Sequence, residues 1–147
     1  MSNDPSSWLR KSTQLLKRSK TLASKLSTPL TVDVGKKHEA IAEQFLIRQG
    51  LTLKERNYHS RRGEIDLIMT DGEILVFVEV RYRKHSAYGS ASESVDRRKQ
   101  QKLIKAAQHY LLKQYRHNEP PCRFDVIAIA GNNSKKPLEW LPNAFTL

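Results

Sequence analysis

The chain predicts a small α/β domain, a mixed central sheet flanked by helices. The predicted order is helix, three strands, helix, strand, with one further short strand at the end. Three observations carry this. Apolar residues recur at helical spacing in two places, at Ala40, Ile41, Phe45 and Leu46 and again at Leu103, Ile104, Ala107, Tyr110 and Leu111. Two runs of apolar alternation flank a Thr-Asp-Gly-Glu turn signal between Gly63 and Arg83, which reads as a β-hairpin. Phe124 to Ala130 is apolar apart from Asp125 and is short enough for a buried strand.

Taken in order, residues 1–31 form a basic, Ser/Thr-rich arm, flexible or marginally helical. It holds 11 Ser/Thr and six Lys/Arg against one acid, Asp4. Leu15, Leu16, Leu22 and Leu26 allow a basic amphipathic helix, and the acid-poor composition also resembles a transit peptide. Residues 32–147 form the α/β domain. Its first helix is expected over Gly35 to Gln49, stopped by Gly50. Glu39 and Glu43 lie one turn apart there and default to solvated positions. Leu51 to Tyr58 is the first strand, at a sheet edge, followed by the basic loop His59-Ser60-Arg61-Arg62. After the hairpin, Ser94 is the expected N-cap of a helix with Asp96 in its first turn, running to about Tyr115. Pro120-Pro121 breaks the chain, and Leu138 to Leu141 is the last short strand.

The totals narrow the function. A chain of 147 residues is about one domain. Its net charge of +11 favours a polyanionic partner, nucleic acid before an anionic membrane surface. A basic surface that only aids solubility is the plain alternative. Cys122 is the single cysteine, so there is no intrachain disulfide and no cysteine-based zinc site, which suits a reducing, cytoplasmic setting. No apolar run approaches the roughly 20 residues of a membrane span.

The hairpin carries the chemistry. Strand alternation puts Glu64, Asp66 and Ile68 on one face, and Phe77, Glu79, Arg81 and Arg83 on one face of the next strand. A two-residue Asp71-Gly72 loop would set Glu64 across from Glu79 with Asp66 diagonal to it. Opposed carboxylates repel, so a cation between them is expected. Mg²⁺ binds through one or two carboxylates together with substrate phosphates. In a basic protein, such a site reads as phosphodiester hydrolysis. The competing reading is a charge network in which Arg62, Arg81 and Arg83 balance the acids, and the residue pattern alone does not separate the two.

Asp66, followed by Glu79-Val80-Arg81 thirteen residues on, resembles the PD-(D/E)xK nuclease motif. More closely, GEIDLI, VFVEVRYR, SVDRRKQQK and RFDVIA, in that order, resemble the YraN family of small predicted endonucleases. That family is similar to archaeal Holliday-junction resolvases. The resemblance covers roughly Gly35 to Leu147 and implies a restriction-endonuclease-like αβββαβ core. It also implies Asp66 and Glu79 as ligands of Mg²⁺ or Mn²⁺, Glu39 as a helical glutamate joining the acidic cluster, and Lys99 and Gln100 facing the site. Glu64 is an added ligand by position. Branched DNA as substrate and a homodimer are implied by the resolvase likeness. Two positions depart from the motif: Ile65 stands where a proline precedes the first acid, and Arg81 stands in place of the lysine. Arginine stays charged and cannot act as a base, although it can hold phosphate.

Arg97, Arg98, Lys99, Lys102 and Lys105 form a second basic patch, read with Arg83 and Gln100 as a nucleic-acid-contacting surface or, more plainly, as a solvated helix face. Asp125 is expected to pair with Arg123. Three functions follow: a Mg²⁺-dependent endonuclease, a catalytically silent nucleic-acid-binding protein with the same fold, and a basic adaptor for an anionic protein or membrane surface.

Overall fold

The computed structural model of the chain describes residues 30–84, 95–131 and 134–147. Residues 1–29 of the basic arm therefore lie outside the described residues, and residues 30 and 31 belong to the first helix. The elements are α1 (Leu30–Arg48), β1 (Thr52–Ser60), β2 (Gly63–Asp71), β3 (Ile74–Arg83), α2 (Arg97–Tyr115), β4 (Cys122–Ala130) and β5 (Leu138–Phe145). This is the predicted mixed α/β fold. The five strands lie in sequence order β1-β2-β3-β4-β5. All neighbours are antiparallel except β3 and β4, which are parallel. A parallel pair needs a long crossover, and α2 lies on it.

Each helix covers one face of the sheet. Under α2, Leu103, Ala107 and Tyr110 pack on Ile68, Phe77 and Phe124. Under α1, Ile41, Phe45 and Leu46 pack on Leu67, Val78 and Ile127. The central strands β3 and β4 are sandwiched and therefore read as near-continuous apolar runs.

Several boundaries differ from the sequence expectation for identifiable reasons. Helix α1 starts at Leu30, five residues before Gly35 and directly after Pro29. Gly35 sits inside the helix with open space where a side chain would be; glycine weakens a helix by about 1 kcal/mol but does not forbid it. Gly50, at φ +98°, ends α1 as expected: Leu51 N–H donates to Leu46 O and Gly50 N–H to Ile47 O, the Schellman arrangement. Glu43 is not solvated. It is buried and holds Arg56 of β1 through two bonds of 2.6 and 2.7 Å. The Ser94 cap falls outside the described residues; the N-cap of α2 is Asp96, whose Oδ1 accepts from Lys99 N–H at 2.8 Å. Strand β5 runs past Leu141 through Pro142 to Phe145. Proline is tolerated there because β5 is an edge strand.

The hairpin turn is Gly72-Glu73 rather than Asp71-Gly72, and Asp71 pairs with Ile74. Gly72 takes φ +58°, which the first position of a II′-type hairpin turn requires. The register therefore moves by two residues from the expected one. Continued along the strands, it brings Asp66, not Glu64, opposite Glu79.

Candidate metal centre and basic cleft

The sheet is distorted where Asp66 sits. Pairing of β1 with β2 runs through Arg56↔Leu67 and resumes at Tyr58↔Ile65, skipping Asn57 and Asp66. Asn57 adopts φ +50°, a conformation that costs a non-glycine residue of order 1 kcal/mol. Pairing of β2 with β3 stops at Leu67↔Val78. Beyond it, Val80 N–H donates at 2.7 Å to Asp66 Oδ2 instead of to a β2 carbonyl. Strict alternation fails here: Ile65 and Ile68 pack in the same cluster under α2. The side chain of Asp66 replaces one rung of the ladder and is thereby held beside Glu79.

Glu79 is 4% exposed. Its Oε1 faces Lys99 Nζ of α2 at 3.3 Å and Arg81 Nη1 at 3.6 Å. Its Oε2 is a buried side-chain oxygen with no hydrogen-bond partner among the described residues. Buried acceptors are almost always satisfied, so this atom is an open acceptor for a cation or a proton. Burial pushes the Asp66 carboxyl up to about 7, reinforced by the charge of Glu79 and opposed by Val80 N–H and Lys99. Burial likewise raises Glu79, against the pull of Lys99 and Arg81. The two carboxyl groups lie within hydrogen-bonding reach of each other, so a proton on Asp66 relieves both.

Glu39 joins this cluster from α1. Its carboxyl is raised by burial first, then by Asp66 and Glu64, while a hydrogen bond from the Asn57 side chain stabilises the charged form. Asn57 was not singled out in the sequence. Only its backbone conformation and its place opposite Asp66 reveal it, and both depend on the folded sheet. Glu64 is exposed, and its carboxylate lies 3.5 Å from His59 Nδ1.

Among the described residues, no three of His, Cys, Asp and Glu converge as a closed metal cage. Mg²⁺ does not require one, because it keeps waters and uses one or two carboxylates. Asp66 and Glu79, whose Oε2 is the partnerless oxygen, suit such a cation.

The basic residues divide. Lys99 reaches the acids. Gln100 turns away, its Nε2 donating to Val95 O at 2.9 Å. Arg97 and Arg98 are exposed at the start of α2, and Lys102 and Lys105 follow on its exposed side. Three cations in a first turn without an acid oppose the helix dipole, so this placement is not explained by helix stability. Arg83, half-buried, ends β3, where Gly131 N–H donates to its carbonyl. A cleft of about 390 Å³ lies between the turn at residues 59–64 and Lys99 and Lys102.

Asp125 is fully buried and accepts from Arg123 Nε, Trp140 Nε1 and Asn143 N–H at 2.9, 3.0 and 2.9 Å. It is paired as the sequence suggested. Burial raises the Cys122 thiol, which keeps it unreactive. None of the described helices is long and apolar enough to cross a membrane.

Comparison with known proteins agrees with the resemblance read from the motifs. Residues 38–129 match the model of "Uncharacterised protein family UPF0102". A UPF0102 protein of Stutzerimonas stutzeri is 57% identical over 111 residues, covering 76% of this chain and 92% of that protein. One from Saccharophagus degradans is 53% identical over 115 residues, covering 78% and 94%. One from Pseudomonas syringae pv. syringae is 55% identical over 112 residues, covering 76% and 91%. With a family model spanning residues 38–129 and relatives above half identity, the chain belongs to the UPF0102 family, the YraN family of its sequence motifs.

Proposed function

We propose that this chain is a Mg²⁺-dependent, endonuclease-like protein that hydrolyses DNA phosphodiester bonds at the Asp66–Glu79 pair. The observation that carries the reading is the buried, partnerless Oε2 of Glu79 beside a second buried acid. Asp66 and Glu79 would hold the cation. Its chemistry there is neutralisation of phosphate charge and a lowered pKa for water. The remaining work falls to the chain itself. Val80 N–H fixes one oxygen of Asp66 and leaves the other for the cation. Arg81, always charged, stabilises negative charge developing on phosphate. Lys99, 3.3 Å from Glu79, is the amine that can stand in for the motif lysine and orient a water. Glu39 adds a further carboxylate at the rim. Branched DNA as substrate and a homodimer rest on the likeness to junction resolvases, and a cytoplasmic setting rests on the single cysteine. DNA as partner rests on the +11 charge.

A second reading, a catalytically silent nucleic-acid-binding protein, is favoured by one observation: arginine stands where the motif has lysine. Purified protein incubated with supercoiled plasmid and four-way-junction DNA, with Mg²⁺, Mn²⁺ or chelator, separates them. The enzyme reading predicts metal-dependent nicking that vanishes in Asp66→Ala. Nicking that persists in that variant is contamination and removes the enzyme reading. Salt-dependent retention of DNA with no cleavage selects the silent protein.

A further inference from the structure

The β1–β2 turn breaks a local rule. Two-residue hairpin turns favour Asn, Asp and Gly at the tip, yet here the tip is Arg61-Arg62, closed by the Ser60↔Gly63 pair. The turn is rigid. Arg62 N–H donates to Ser60 Oγ at 3.2 Å, and Ser60 Oγ donates to Gly63 O at 3.0 Å. It is also pinned to α2: a Cβ on Gly63 would stand 2.8 Å from the Lys102 carbonyl oxygen, so only glycine lets the two backbones meet. Both arginines are exposed, and neither has an ion-pair partner among the described residues. Two exposed guanidinium groups that line one cleft with Lys99 and Lys102 serve no part of the core.

The cleft between this turn and α2 contains no apolar side chain. Small-molecule sites are mostly apolar with a few polar groups, so a cofactor does not fit it. Its one carboxylate, Glu64, lies against His59. The cleft adjoins the acid pair through Lys99, which lines the cleft and lies 3.3 Å from Glu79. We infer that this cleft is a phosphate-binding subsite, in which Arg61, Arg62 and Lys102 grip the sugar-phosphate backbone of the nucleic-acid strand presented to Asp66 and Glu79. The inference rests on the proposed function and names the surface that feeds that site.

The test is binding of a short labelled DNA duplex by the full chain in chelator, with affinity followed against salt. The variants are Arg61→Ala/Arg62→Ala and a charge-matched control at the far end of α2, Lys113→Ala/Arg116→Ala. Each lost phosphate contact lowers the slope of log affinity against log salt by about 0.9. The turn variant is expected to lose one to two such steps while the control keeps the parent slope, with matching thermal melts for all three proteins. A parent slope in the turn variant, or an equal fall in the control, overturns the subsite and leaves the nuclease reading standing. No salt-dependent binding by the parent protein overturns both.

Discussion

Two buried acids on neighbouring strands of one sheet have opposite fates. Asp125 of β4 pairs in register with Val78, and Glu79 is the next residue of β3. Asp125 is fully buried and spends its charge on Arg123, Trp140 and the backbone of Asn143. Glu79 is almost as buried, with one oxygen shared by two cations and the other left without a partner. Burial is equal, and satisfaction is what separates them. A carboxylate closed off by hydrogen bonds is part of the structure. A carboxylate held open beside another acid costs stability, and such a cost persists where a ligand offsets it.

The comparison can be broken most forcefully at Asp125. Asp125→Ala strands the Trp140 Nε1 and Asn143 N–H donors and leaves Arg123 with Asp71 alone, and unfolding in denaturant should show a loss of about 1–3 kcal/mol for each stranded donor. A loss below 1 kcal/mol would mean that Asp125 is no more structural than Glu79.

The next effect has the opposite sign. Mg²⁺ should raise the melting temperature of the parent protein, by about 2.7 kcal/mol of stability at a hundredfold excess over Kd. Glu79→Gln should lose that response, while Asp125→Asn keeps it. Equal responses in all three proteins would deny the acids a role in binding the cation.

In chelator, pH distinguishes the acids further. The Asp66 carboxyl, at about 7 when folded against an ordinary 3.8, holds a proton that the unfolded chain releases. Stability should therefore fall as pH rises from about 4 to 7, by at most about 1.4 kcal/mol per pH unit, and then level off. Asp66→Asn should flatten that slope and melt higher than the parent at neutral pH. An unchanged slope in Asp66→Asn refutes the assignment.

The smallest effect concerns Asn57. Asn57→Gly keeps the +50° backbone and loses the bond to Glu39, so stability should change by only a few tenths of a kcal/mol. Asn57→Val must strain or rebuild the strand and should cost about 1–3 kcal/mol. If both melt alike, the strand does not depend on that conformation.

Much of this was legible in the chain. The order of elements followed from periodicities of 3.6 and 2, which are local properties of each segment. Asp66 and Glu79 stood out because ionisable residues in apolar runs conflict with burial. The register did not follow, because it depends on which two residues of TDGE close the turn, and both Asp71-Gly72 and Gly72-Glu73 are reasonable choices. Glu43 looked like a surface charge until α1 docked on β1 and brought it to Arg56.

What the sequence by itself determined is the residue inventory and its periodicity: a mixed α/β domain, a basic excess, and two acids near one another on a hairpin. Only the tertiary structure decided which charges meet. Lys99 lies twenty residues beyond Glu79 yet reaches it at 3.3 Å, because the crossover returns α2 over the sheet. Asn57 becomes strained because two ladders break at one point. Pairing between distant residues is set by packing and register, and neither is a property of a local stretch of chain.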